Sequence, residues 1–275
     1  MEKYWKIKEK GSRAEVDKLV YELNINYVLA NLLVQRGIST YDKAKDFFRP
    51  NLENLHDPFL MTDMKAAVDR LNEAIAGNQK ILVYGDYDVD GTTSVALTYS
   101  FLRKRYENID YYIPDRYTEG YGISFKGIDY ATDHHISLII ALDCGIKANE
   151  KIQYARNKNI DFIICDHHTP GNTLPEAVAV LDPKRNDCKY PYTELSGCGV
   201  GFKLLQAFSR VNNIPEDELL EYTDLLAVSI ASDIVPITGE NRILTHLGLK
   251  KLEENPCTGL KAIKCVKPGA RIFFQ

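Results

Sequence analysis

Apolar residues in the middle of the chain come in short unbroken runs, and each run ends in acid or imidazole. Ile81-Leu82-Val83-Tyr84-Gly85 leads into Asp86, Asp88 and Asp90, Leu138-Ile139-Ile140-Ala141-Leu142 into Asp143, and Phe162-Ile163-Ile164-Cys165 into Asp166-His167-His168. Runs of this length read as strands buried on both faces, and the segments between them carry helical spacing. The pattern predicts strands near 81–86, 109–113, 137–143 and 160–166 and a short one near 177–181, with helices near 92–106, 125–133 and 148–158. Strand, helix, strand at this spacing is the βαβ signature, so an α/β fold with a mostly parallel, doubly wound sheet is expected.

Both flanks of this region read as helical. Residues 1–75 form an N-terminal helical lead-in with apolar positions at Leu19, Val20, Leu23, Val28, Leu29, Leu32 and Leu33, broken by Pro50 and Pro58. Beyond Ser196 one helix opens at Gly199 and Gly201, and another runs from Glu216 to Ser229. The domain reading is therefore a helical region over 1–75, an α/β domain over 76–240, and the start of a helical linker over 241–275.

Charge and composition narrow the function classes. A formal net charge of −4 gives no global field toward a polyanion, so any nucleic-acid contact must come from a local patch. Lys250, Lys251, Lys261, Lys264, Lys267 and Arg271 offer one, and a solvated helix face explains the first pair equally well. The opening ten residues lack an apolar core, and nothing approaches the ~18 apolar residues of a membrane span, so a cytoplasmic protein without membrane contact is expected. The 6 cysteines show no C-x-x-C pair, which argues against a disulfide framework or a zinc site.

The acids carry the chemistry. Asp86 and Asp88 lie two apart on an extended segment, so their side chains point to one side and reach one ion or two adjacent ones. Asp90 reads most simply as a helix cap. Thr92 and Ser94 open the helix that follows, whose free amide groups suit a phosphate. Asp143 gains weight as a further acid at a strand's carboxyl end, where a parallel sheet brings such ends together. In Asp166-His167-His168 a neutral imidazole is a common metal ligand, and an adjacent acid fixes its tautomer. Asp133-His134-His135 repeats the tripeptide but precedes a strand, which places it on the opposite sheet edge as a solvated helix end. Asp233 lies between helical and extended segments, where a cap accounts for it, and by itself it would not be singled out.

Five ordered segments together resemble the DHH phosphoesterase family: Tyr84–Ser94, Leu142-Asp143-Cys144-Gly145, Asp166-His167-His168, Ser196–Lys203 and Ser232-Asp233-Ile234-Val235-Pro236. Ile113-Pro114-Asp115-Arg116, Glu119-Gly120-Tyr121-Gly122 and the helical lead-in are similar, more narrowly, to its bacterial single-stranded-DNA exonucleases. The resemblance implies a two-metal centre, usually manganese with magnesium as an alternative, that activates water against a phosphodiester. It implies Asp86, Asp88, Asp143, His167 and Asp233 as ligands, with Asp88 or Asp143 bridging. Asp166 would support its neighbouring histidine, and His168 would face the scissile phosphate. The implied activity is stepwise 5′→3′ digestion of single-stranded DNA in recombination and repair, with single-strand binding protein and a helicase as partners.

Other readings stay open beside it. Short oligonucleotides or cyclic dinucleotides are the alternative substrates, and an inactive binding module is the alternative class. Arg116 reaches a phosphate with its planar fork or pairs with Asp115 or Glu119; Tyr117 and Tyr121 stack on bases or cover a core edge. Some family members place His where this chain has Tyr84, which thins one metal's ligand shell. The second substrate-binding domain and OB-fold that the family pattern calls for do not follow, so a truncated chain with weak catalysis on DNA is expected.

Overall fold

The computed structural model describes residues 4–266, and Lys267 and Arg271 of the basic patch lie outside them. One compact unit ends at Asn54 and a second begins at Leu55. The first holds helices α1 (Arg13–Leu23), α2 (Tyr27–Val34) and α3 (Tyr41–Phe48) around Val16, Leu19, Ala30, Leu33 and Ala44. Helix α2 is apolar on nearly every face; Ala30 and Leu33 are buried, whereas Val28, Leu29 and Leu32 are exposed. Helix α4 (Met64–Ala76), within the helical stretch read over 1–75, packs with the second unit.

That second unit is an α/β layer structure with five parallel strands: β1 (Lys80–Gly85), β2 (Ile109–Tyr112), β3 (Ile136–Leu142), β4 (Asp161–Cys165) and β5 (Ala179–Leu181). Their spatial order is β2-β1-β3-β4-β5. The order reverses between β1 and β3, so the crevice of this sheet opens outside the carboxyl ends of those two strands.

Alternation of side chains separates two cores. Ile81 and Val83 of β1 join one with helices α4, α5 (Val89–Arg103), α8 (Gly197–Val211) and α10 (Thr223–Ser232), while Leu82 and Tyr84 join the other beneath α6 (Phe125–Asp133) and α7 (Asn149–Arg156). The helix read from Glu216 to Ser229 is two, α9 (Glu216–Leu220) and α10, because Tyr222 (φ −106°, ψ 10°) turns the chain and sets its ring edge-on to Phe101 at 6.2 Å. Helices α11 (Gly239–Glu254) and α12 (Thr258–Val266) complete the described chain. No helix among the described residues is long and apolar enough to cross a membrane.

A buried ion pair ties α8 to α11. Lys203 Nζ lies 3.0 Å from Glu240 Oε1 and donates to the His56 carbonyl at 2.7 Å, and Glu240 Oε2 accepts from the Tyr190 hydroxyl at 2.6 Å. Removing one member strands the other without water, so Lys203→Met is expected to cost about 3–5 kcal/mol, read as a lowered denaturant midpoint.

Candidate metal centre

Backbone donors hold several of the acids at the crevice. Asp86, directly after β1, is fully buried; its Oδ1 accepts the Gly122 N–H at 3.1 Å, and its Oδ2 has no hydrogen-bond partner. The Gly122 loop is in turn clasped by Tyr84, whose hydroxyl donates to the Gly122 carbonyl at 3.0 Å and accepts from Ser124 N–H at 3.1 Å. Tyr84 therefore braces Asp86 from the sheet and is no metal ligand itself. Gly91 permits this approach, since a Cβ there would lie 2.4 Å from the Asp86 carbonyl oxygen.

Of Asp88 and Asp90 it is Asp88 that caps the helix, the part read from sequence for Asp90. Asp88 is exposed and caps α5, accepting the Gly91 N–H at 2.8 Å. Asp90 is buried, and three donors hold it: Gly197 N–H at 2.7 Å on Oδ2, with Cys198 N–H at 2.9 Å and the Ser229 hydroxyl at 2.6 Å on Oδ1. The alternation of three acids carried this signal; an interior helix position only two residues into α5 hid it.

Around His167 the groups converge. Its Nε2 lies 3.2 Å from Asp143 Oδ1, 3.5 Å from Asp233 Oδ2 and 3.8 Å from Asp90 Oδ2. Neither ring nitrogen makes a hydrogen bond, and Asp143 Oδ1 makes none. Asp143 takes φ 59° to turn out of β3, a left-handed conformation that Asp tolerates at a cost of about 1 kcal/mol. Two groups with ligand atoms within 4.8 Å of one another follow, Asp143–His167–His168 and Asp90–His167–Asp233. Asp86 and Asp88 stand outside both. Buried oxygen and imidazole donors left unpaired fit a divalent cation of the manganese or magnesium type, and one ring nitrogen serves one ion, which leaves any bridging to a carboxylate.

Asp166 organises the last histidine. Its Oδ2 accepts Ile146 N–H at 2.9 Å, and its Oδ1 accepts the backbone N–H of His167 and His168 and meets His168 Nδ1 at 2.7 Å. That bond directs His168 Nε2 outward, 3.3 Å from the Tyr121 hydroxyl. Tyr121 stands edge-on to Tyr87, and the Arg116 guanidinium lies 5.1 Å from the Tyr87 ring centre. Arg116 thus rests on an aromatic ring; Asp115 and Glu119 are taken by their own loop.

Electrostatics follow from the crowding. Burial, reinforced by the charges of Asp90, Asp88 and Asp166, pushes the Asp143 carboxyl up to about 11. Burial also raises Asp86 and Asp233. Burial acts on Asp166 in the same sense, but its hydrogen bonds to His168 and the backbone outweigh it and hold the carboxyl below the usual range. The same bond to Asp166 raises His168.

Other candidates lie elsewhere or face inward. Ser94 is fully buried, and its hydroxyl donates to the Asp90 carbonyl at 2.6 Å; the Thr92 hydroxyl donates to the Asp88 carbonyl at 2.6 Å. His134 folds onto Tyr130 at the end of α6, before β3. In the basic patch, Lys251 and Lys264 donate to the Asn255 and Leu252 carbonyls. All 6 cysteines are free thiols. Asp182 was not singled out from sequence; it follows β5, is fully buried, and burial lifts its carboxyl to about 7.

A family model described as "DHH family, N-terminal domain" matches residues 80–230. The chain is 40% identical over 259 residues to the single-stranded-DNA-specific exonuclease RecJ of Bacillus subtilis (strain 168), covering 94% of this chain and 32% of that protein. It is 34% identical to RecJ of Dickeya dadantii (strain 3937), covering 90% and 42%. Among solved structures, RecJ in complex with Mn2+ from Thermus thermophilus matches with TM-score 0.76 and 27% identity over 92% of this chain and 35% of that one. An exonuclease RecJ bound to manganese matches with TM-score 0.68 and 31% identity over 78% and 54%. The chain thus spans roughly a third to two fifths of the curated relatives it matches.

Two outcomes test the centre. A Cβ on Gly197 would fall 2.5 Å from Asp143 Cβ, so Gly197→Ala is expected to displace Asp143 and weaken Mn2+ binding at least ~10-fold in a calorimetric titration, with helical content kept. Raised carboxyls also set a pH dependence. Asp143 binds its proton more tightly in the fold than at the ordinary 3.8, so its contribution is fully present below that pH and is lost progressively as pH climbs toward about 11. Mn2+ competes with those protons, so the rise in melting temperature on adding Mn2+ to an EDTA-treated sample is expected to be larger at pH 8.5 than at pH 6.

Proposed function

The chain belongs to the DHH family, and on that premise we propose that it hydrolyses phosphodiester bonds as a divalent-metal-dependent 5′→3′ exonuclease on single-stranded DNA, serving recombination and repair. The observation that carries this reading is the unpaired His167 Nε2, buried and facing Asp90, Asp143 and Asp233 at the switch point of the sheet. Support comes from relatives named as single-stranded-DNA-specific exonucleases and from solved RecJ structures that hold manganese.

In this reading Asp90, Asp143, His167 and Asp233, with buried Asp86 and exposed Asp88 beside them, would hold two manganese ions, magnesium substituting. Such ions supply Lewis acidity, lowering the pKa of bound water and offsetting charge that builds on the phosphate oxygens. The chain's own groups do the rest. Asp166 fixes His168 with Nε2 outward, toward the scissile phosphate, and holds it ready to donate a proton or hydrogen bond there. Arg116, Tyr87 and Tyr121 line the approach, where a guanidinium suits phosphate and aromatic faces suit bases. The start of α5 offers amide dipole to the strand's phosphates, with the Thr92 and Ser94 hydroxyls turned back into the helix. Single-strand binding protein and a helicase are the proposed partners, and the cytoplasm, where six free thiols persist, is the proposed location.

The test is nucleotide release from 5′-phosphorylated single-stranded DNA with Mn2+, beside an EDTA control and Asp143→Ala. Release that needs Mn2+ and falls at least ~10³-fold in the variant, ~4 kcal/mol of barrier, is expected. Hydrolysis confined to dinucleotides or cyclic dinucleotides overturns the DNA assignment and leaves the metal centre standing.

A further inference from the structure

Ser229 lies on α10, fully buried, one helical turn before Asp233. Its backbone carbonyl accepts the Asp233 N–H at 3.0 Å. Its hydroxyl lies 2.6 Å from Asp90 Oδ1 and 2.7 Å from Ser196 Oγ. The direction of this chain of hydrogen bonds follows from its ends. Ser229 donates its one hydroxyl proton to Asp90 Oδ1, so toward Ser196 it accepts, and Ser196 is the donor of that bond. Ser196 Oγ also accepts the Gly199 N–H at 3.1 Å as the cap of α8.

The consequence falls on Asp90. Its Oδ1 is occupied by Ser229 and Cys198 N–H, whereas Oδ2 takes a single N–H, from Gly197, and stays open toward His167 Nε2 at 3.8 Å. Two donors on one oxygen and one on the other fix the rotation of the carboxylate plane. Ser229 also links the two acids of one cation group, because the residue that orients Asp90 through its side chain sets Asp233 through its backbone.

We propose that Ser229 is a positioning residue for cation binding, turning Asp90 Oδ2 into the site and registering it against Asp233. The proposal rests on the metal-centre reading of the site. It differs from a general structural role in one respect: the effect of the Ser229 hydroxyl on the cation passes through the Asp90 carboxylate, while the backbone bond to Asp233 is kept in every variant. Loss of such an outer partner commonly costs a metal site 10–100-fold in affinity.

The measurement is Mn2+ affinity by calorimetry on the whole chain, with circular dichroism to verify folding, for the parent, Ser229→Ala, Ser229→Cys, Asp90→Asn and the Asp90→Asn/Ser229→Ala double variant. Ser229→Ala is expected to weaken Mn2+ at least ~10-fold, with Ser229→Cys, which keeps a weaker donor in similar volume, in between. In the Asp90→Asn background the Ser229 change is expected to add nothing. Parent-like affinity in Ser229→Ala, or an equal loss in the Asp90→Asn background, overturns the positioning role while Mn2+ binding by the parent stands. A parent chain that binds no Mn2+ overturns the metal-centre reading itself.

Discussion

Carboxylates crowded around a buried imidazole are the constraint on which the rest of this structure depends. Asp86, Asp90, Asp143 and Asp166 are all buried, and the buried cations of the unit, Lys203 and Arg185, are paired with other acids. Like charges so placed repel one another and lose their hydration at once. Two devices answer this. Backbone N–H groups of Gly122, Ile146, Gly197 and Cys198 each point at one acid, and a cation of higher charge fits the oxygens and ring nitrogens left unpaired.

Those donors require the backbone to come unusually near, which explains the glycines. Gly91 places the first turn of α5 against Asp86, and Gly197 places the first turn of α8 against Asp143, with no room for a side-chain carbon in either case. Helix N-termini thereby bring both free amides and a positive dipole end to the carboxyl edge of the sheet. The parallel topology supplies that edge, since every strand of this sheet ends there.

The family match covers the sheet and its helices, and the solved manganese-bound relatives share this fold over most of the chain. The two ligand groups come from the ends of β3 and β4, from α5 and from the end of α10, with the first turn of α8 holding Asp90.

Much of this was legible in the residues themselves. Short apolar runs ending in acid, separated by helical spacing, determined the parallel sheet and the edge on which Asp86, Asp143, Asp166 and His167 gather, because in a parallel sheet chain direction alone decides which end of a strand is which. The same logic removed His134 and His135, which precede their strand. What the sequence could not decide was which acid of an alternating trio turns inward. Asp88 and Asp90 are alike in type and spacing, and only the docking of α8 and α10, from more than a hundred residues away, supplies the amides and the hydroxyl that make Asp90 the buried one and leave Asp88 as the cap. The split between α9 and α10, the inward hydroxyl of Ser94 and the rest of Arg116 on Tyr87 belong to the same class: local pattern sets the element, and the partner across the core sets the direction of each side chain.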